Sequence, residues 1–174
     1  MIIGISGKIG CGKDECGQYL VEHYGFKIIK FATIIKQVSV LMTGESYETQ
    51  ISQDGKQKYL KDWGMTIREF QQRLGTDAVR NGLHHDAWVI ATLNSYKPTY
   101  NWVVTDTRFE NEADKVKDLG GTLIRVNRPN NPFPQSDHPS ETSLDSYTFD
   151  YTINNDSIIS ELHLKTAKIM SYLV

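Results

Sequence analysis

The stretch Gly7–Asp14, GKIGCGKD, lies between a short apolar run, MIIGIS, and a segment of helical character, DECGQYLVEHYG. Gly7, Gly12 and Lys13 fit the spacing G-x-x-x-x-G-K, and a place between a first strand and a first helix is the context in which that spacing makes a phosphate loop. No other feature narrows the fold so far. An apolar strand that hands over to a helix through a glycine turn begins a βαβ unit, and βαβ units build parallel sheets. Glycines let successive backbone N–H groups converge on an anion without Cβ interference. The helix that follows adds its N-terminal partial charge, and Lys13 is placed to reach the β- and γ-phosphates of a nucleotide. A plain strand–turn–helix with a surface lysine is the ordinary alternative. The residue after the lysine is commonly a Ser or Thr that ligates Mg²⁺, whereas here it is Asp14. A carboxylate keeps a hard oxygen at that place, direct or through a water. It could equally be a helix-start acid that complements the dipole and touches no metal.

The rest of the chain continues the alternation. FKIIKFA reads as a second strand, and IIKQVSVLMTG as a helix with Ile34, Ile35, Val38, Leu41 and Met42 on one stripe. The polar stretch 45–62 reads as a mobile or partly helical excursion. Thr66 and Glu69 form a capping-box pattern that opens a helix over TIREFQQRLGTDAVRNG. Gly75 and Thr76 are poor helix formers inside it, which suggests a bend or a close ligand approach. DAWVIATLNSYK is a further helix, NWVVTD a strand, NEADKVKDLGG a helix, TLIRVNRP a strand, DYTINND a last strand and SIISELHLKTAKIMSYLV the terminal helix. The Pro- and Ser-rich NNPFPQSDHPSETSLD reads as a loop or lid. The expected fold is α/β, with a central parallel sheet covered by helices on both faces. Without a repeat or a linker, 1–174 reads as one domain.

Bulk properties exclude several classes. With 19 Lys and Arg against 21 Asp and Glu, the net charge is −2, so the basic excess common in nucleic-acid binders is missing. Cys11 and Cys16 form no C-x-x-C and no disulfide framework, which suits a reducing compartment. The N-terminus shows no signal-peptide pattern, and no apolar run approaches the roughly 18 residues of a membrane span. A soluble, intracellular protein in the cytoplasm is expected.

Asp106 ends an apolar strand, where open α/β sheets bind ligands. It could be an acid oriented toward a metal or a base on the acceptor side. Arg108 could clamp a phosphate bidentately. Arg73 and Arg80 are seven apart, so on a continuous helix they share a face and could hold a monophosphate, with a solvated basic face as the alternative. His138, Ser140 and Glu141 lie close together in the lid-like loop but in no nucleophile setting. His84 and His85 make no zinc pattern. Trp63, Trp88 and Trp102 read as core residues, with Trp88 beside the acceptor segment.

Taken together, GKIGCGKD at 7–14, FATIIK at 31–36, TIREFQQRLGTDAVR at 66–80, DAWV at 86–89, VVTDTRFENEA at 103–113 and HPSE at 138–141 resemble the phage-type deoxynucleoside monophosphate kinases. These are a branch of the P-loop nucleotide kinases. Members of that family also carry Gly-Lys-Asp, usually followed by Thr, where this chain has Glu15. The resemblance implies a three-layer P-loop kinase fold, with an acceptor-binding helical region at about 34–90 and a lid at about 128–145. It implies γ-phosphoryl transfer from ATP to a deoxynucleoside 5′-monophosphate, with Mg²⁺, in a homodimer. It places Gly10, Cys11, Gly12, Lys13, Asp14 and Glu15 at the ATP phosphates, and Asn155, beside Asn154, on the adenine side. It gives Asp14 and Asp106 to the metal. Lys13, Asp106, Arg108 and the lid arginine Arg128 would be catalytic. Phe31, Lys36, Gln72, Arg73, Arg80, Trp88, Arg108, His138, Ser140 and Glu141 would meet the acceptor. A kinase acting on a modified base in DNA is an alternative that the near-neutral charge disfavours. A GTPase-like switch would need an Asn-Lys-x-Asp motif, and the sequence has none.

Overall fold

Ile2, Ile3 and Ile5 are almost fully buried because their strand is the middle one of five. The computed structural model describes residues 1–133 and 136–174. In chain order the elements are β1 (Ile2–Ser6), α1 (Lys13–Tyr24), β2 (Lys27–Ile29), α2 (Ala32–Thr43), α3 (Tyr47–Ile51), α4 (Gln53–Lys56), β3 (Tyr59–Leu60), β4 (Met65–Thr66) and α5 (Ile67–Gln72). They continue as a π-helical stretch (Arg73–Asn81), α6 (Ala87–Leu93), β5 (Trp102–Val104), α7 (Glu110–Asp118), β6 (Thr122–Asn127), α8 (Pro139–Thr142), β7 (Tyr151–Asn154) and α9 (Ile159–Leu173). The chain divides into two units, one made of Met1–Lys30 with Lys97–Val174 and the other of Phe31–Tyr96.

The first unit holds an all-parallel sheet in the order β2-β5-β1-β6-β7. Successive residues of β1 face opposite ways. Ile3 and Ile5 pack with Cys16 and Leu20 of α1 and Leu162, Ile169 and Met170 of α9. Gly4 faces the other side, where a Cβ would meet Leu123 and Val116 of α7. The helices therefore cover both faces, as the alternating pattern predicts. Both neighbours of β1 are strands distant in sequence. The carboxyl ends of β1 and β5, where Gly7 and Asp106 follow, accordingly form the crevice in which such sheets bind ligands.

The second unit departs more from expectation. The polar stretch 45–62 takes the partly helical of its two expected forms, with α3 and α4 capped by the Ser46 and Ser52 side chains, and adds β3, which pairs with β4 antiparallel. The apolar stripe expected on α2 does not face inward as a whole. Leu41 is 84% and Met42 46% exposed, while Ser39 is fully buried. The reason is a polar interior: Ser39 donates to Gln50 Oε1 at 2.8 Å, Gln71 Nε2 donates to the same oxygen at 2.7 Å, and Gln50 Nε2 donates to Thr43 Oγ1 at 2.9 Å. The helix after Thr66 starts as predicted, since Thr66 and Glu69 make the full capping box. It does not continue as one α-helix, because π geometry begins at Arg73. Trp88 Nε1 donates to the Gly75 carbonyl at 2.8 Å, which takes up a backbone acceptor where the α pattern gives way. Residues 134–135 of the expected lid lie outside the described residues.

Candidate active site

The loop after β1 turns at Gly10 and Gly12, whose φ angles of 72° and 102° lie in the region that glycine adopts without strain. A Cβ on Gly10 would fall onto the Phe133 ring, and one on Gly12 would come 2.7 Å from Asn155 Nδ2. Gly12 is the N-cap of α1 and brings no side-chain cap. The first amides of the helix are thus left for an anion, as helix termini require some partner for them.

Lys13 is 6% exposed, and its ammonium lies 3.9 Å from Asp14 Oδ2. Asp14 Oδ1 accepts from Lys30 Nζ at 2.6 Å and from Thr105 Oγ1 at 3.2 Å. Burial pushes the Asp14 carboxyl up, but the Lys30 hydrogen bond and the Lys13 charge outweigh it and hold the carboxyl below its usual value. Asp14 is therefore a carboxylate at neutral pH, with an oxygen on each side of a lysine pair. Glu15 turns away to α9, where His163 Nε2 lies 2.7 Å from its Oε1 and stacks on Tyr19. Burial pushes the Cys11 thiol up, and the Cys16 thiol up to about 11, so both stay protonated and inert at neutral pH. Cys11 belongs to the loop through its backbone, since its side chain is core.

The segment after β6 wraps this loop. Arg128 Nη1 donates to the Gly10 carbonyl at 3.0 Å, and Asn131 Nδ2 to that of Ile9 at 2.6 Å. Asn155 Nδ2 holds the Cys11 carbonyl at 2.9 Å, so this amide supports the loop. His138 caps α8, accepting from the Ser140 amide and lying 2.9 Å from Ser140 Oγ. Glu141 takes the Ile9 amide at 3.0 Å and pairs with the Arg108 guanidinium. Lys8 donates to the Glu141 carbonyl and to Asp145, each at 2.7 Å, and Arg125 reaches Asp145 at 2.9 Å. Asp106 is 8% exposed just beyond β5. The first unit thus brings together Gly10, Cys11, Gly12, Lys13, Asp14, Asn155, Arg108, Arg128, His138, Ser140 and Glu141 around one loop.

The remaining candidates, Phe31, Lys36, Gln72, Arg73, Arg80 and Trp88, belong to the second unit. Arg80 is buried and donates to the His85 carbonyl, whereas Arg73 is exposed. The two arginines do not share a face, because π geometry changes the angular step between them. Phe31 and Trp88 are 3% and 5% exposed, as core aromatics are.

A family model described as Deoxynucleotide monophosphate kinase matches residues 41–166. The chain belongs to this family. A protein of Acanthamoeba polyphaga mimivirus named for the same activity is 32% identical over 184 residues, covering 94% of this chain and 92% of its own. The deoxynucleotide monophosphate kinase of Enterobacteria phage T4 is 30% identical over 113 residues, covering 62% of this chain and 46% of the phage protein. The chain thus spans about half of that relative. Among solved structures, a gluconokinase from Sinorhizobium meliloti 1021 aligns over 98% of this chain and 91% of its own, with a TM-score of 0.53 and 11% identity, a likeness of fold. The kinase family and the P-loop kinase fold agree with the expectations drawn from the motifs.

Sequence reasoning missed Lys8, Lys30, Thr105, Asn131 and Asp145. Lys30 follows β2 directly, at the carboxyl edge of a parallel sheet, and that place alone could have marked it. Asn131 carries no local signal, since its partner lies more than a hundred residues away, as does the Lys8 partner of Asp145.

Proposed function

We propose that the protein transfers the γ-phosphoryl group of ATP to the 5′-phosphate of a deoxynucleoside monophosphate, yielding ADP and the diphosphate. The observation that carries this reading is the glycine loop entering α1, with a buried lysine beside an ionised aspartate, in a chain of this family. The acceptor is a phosphate oxygen that is already ionised near neutral pH, so little general-base work is needed. Catalysis comes from positioning and charge neutralisation. The loop amides and Lys13 hold the ATP phosphates. Arg108 and Arg128 stand at the loop to meet charge on the transferring group. Arg80 supplies positive charge to the acceptor region, and Arg73, on another face, would meet the acceptor separately rather than as the second arm of one clamp.

Asp14 and Asp106 would hold Mg²⁺. Among the described residues no group of three or more His, Cys, Asp or Glu side chains forms a metal cage, and Mg²⁺ needs only one or two carboxylates besides phosphate oxygens. Held there, the ion would offset negative charge on the phosphate oxygens. The reading carries with it a cytoplasmic setting, where nucleotides are found, and the homodimer implied by the family resemblance. Equilibrium sedimentation tests the latter.

Coupled ADP release with ATP–Mg²⁺ and each deoxynucleoside monophosphate in turn, 5-substituted pyrimidines included, tests the activity and names the base. Acceptor-dependent turnover is expected with at least one. Lys13→Ala should lower kcat by roughly 10²–10³, the usual loss for a phosphate-side donor. Arg80→Ala should lower kcat/KM for the acceptor and leave ATP affinity in place. Unchanged turnover removes either residue from its role.

A further inference from the structure

We propose that Glu141 is a positioning residue that ties Arg108 to the phosphate loop, rather than a contact to the nucleotide. This rests on the kinase reading above. The two carboxylate oxygens do different work. Oε2 accepts from the Ile9 amide inside the loop at 3.0 Å, and Oε1 faces the Arg108 guanidinium. One side chain therefore holds both a loop amide and the Arg108 guanidinium. The Glu141 side chain keeps 10% of its accessible surface, against 30% for Arg108. The carboxylate is enclosed while the guanidinium still reaches outward.

Three further bonds hold the arrangement. Arg108 Nη1 also donates to the Ser140 carbonyl at 3.3 Å, so the guanidinium is fixed by two acceptors of α8. The Arg108 amide donates to Glu112 Oε2 at 2.8 Å, and Glu112 is itself 3% exposed, so the backbone of Arg108 is anchored independently of its side chain. Lys8 Nζ donates to the Glu141 carbonyl at 2.7 Å, which binds the backbone of α8 to the same loop. His138 caps α8 and Pro139 opens it, so the helix presents Glu141 from a defined first turn. A charge-assisted pair of this kind holds a guanidinium in one orientation. An arginine displaced by about 1 Å loses up to about 10² in rate.

Steady-state kinetics and ATP binding on Glu141→Gln, Arg108→Ala and the double variant test this, with Glu141→Asp as a charge-retaining control and thermal melting as a check on folding. Glu141→Gln should lower kcat between about 10- and 100-fold and leave the Kd for ATP within about twofold. In the Arg108→Ala background it should lower kcat no further, because a residue that acts through another gives non-additive losses. Glu141→Asp should recover part of the rate. Unchanged kcat in Glu141→Gln overturns the proposal, as do multiplicative losses in the double variant. Tighter ATP binding in Glu141→Gln also overturns it, since the carboxylate would then be an anion that nucleotide must evict. Absence of acceptor-dependent turnover in the unaltered protein would instead break the kinase reading itself.

Discussion

The two units are stabilised by different means. In the first, thirteen buried apolar residues form one cluster between a parallel sheet and its helices, and the charged groups gather at the loop, tied to it by hydrogen bonds across more than a hundred residues. In the second, a polar network lies in the interior. Gln50 is fully buried and shared among Ser39, Thr43 and Gln71, while Leu41 and Ile90 face outward. A small apolar cluster there is made of Leu60, Ile67 and Phe70, with Met65 and Leu74 around it. Dispersion and apolar burial fill volume with little regard to direction, whereas an amide network demands one geometry. The first unit therefore rests on one close-packed apolar core, and the second holds its shape through a few directional bonds.

Substitutions in each unit can break this contrast. The largest effect is expected from Leu20→Ala, which empties a fully buried position of the first unit. It should cost about 2–5 kcal/mol in urea unfolding, and a loss below about 1 kcal/mol would mean that the sheet core repacks freely. Gln50→Met keeps the volume and removes the acceptor for Ser39 and Gln71. It should cost about 1–3 kcal/mol and raise hydrogen exchange in α2, α3 and α5 more than in the sheet. A neutral result would show that the polar interior can be replaced by apolar packing. Thr66→Ala removes the cap of α5 and should cost about 1 kcal/mol, with fraying confined to that helix.

The smallest effect separates the units by pH. Asp14, Asp145 and Asp150, all in the first unit, are pushed up by burial but held lower overall by their lysine and arginine partners. A carboxyl with a lowered folded pKa contributes stability that is full above the unfolded value of about 3.9. That stability is lost as pH falls through the lower folded value. These side chains keep between 35% and 61% of their accessible surface, so solvent screening should hold each below about 1 kcal/mol. In the second unit Glu69 is shifted the same way, by its bonds to Thr66. Exchange measured between pH 5 and pH 2 should therefore rise first in the sheet unit. A simultaneous rise would mean that the two unfold as one.

Legibility from the sequence follows the same divide. β1, the loop, α1, β5 and β6 were readable because burial on both faces leaves continuous apolar runs, and because glycines must stand where the chain turns toward an anion. The capping box at Thr66 was readable because its partners are three residues apart. The α2 stripe misled, since periodicity assumes that a helix buries its apolar face, and here Ser39 is the side drawn inward by Gln50. Continuity past Arg73 was assumed from spacing, although Gly75 and Thr76 already pointed to a break. The clamp on the loop was least legible, because Lys8, Asn131, Glu141 and Asp145 meet only after the sheet has closed.

The parallel pairing of β1 also sets an order of events during synthesis. This strand is made first, yet its partners are β5 and β6, which begin at Trp102 and Thr122. At roughly 5–20 residues per second, the ribosome leaves the N-terminal strand unpaired for several seconds. A hydrophobic segment of high β propensity therefore waits in solution or at the tunnel mouth for its neighbours. The glycine loop is then tied to its partners from β6 and beyond only late in translation, and a stalled nascent chain would expose a sticky strand before that assembly is complete.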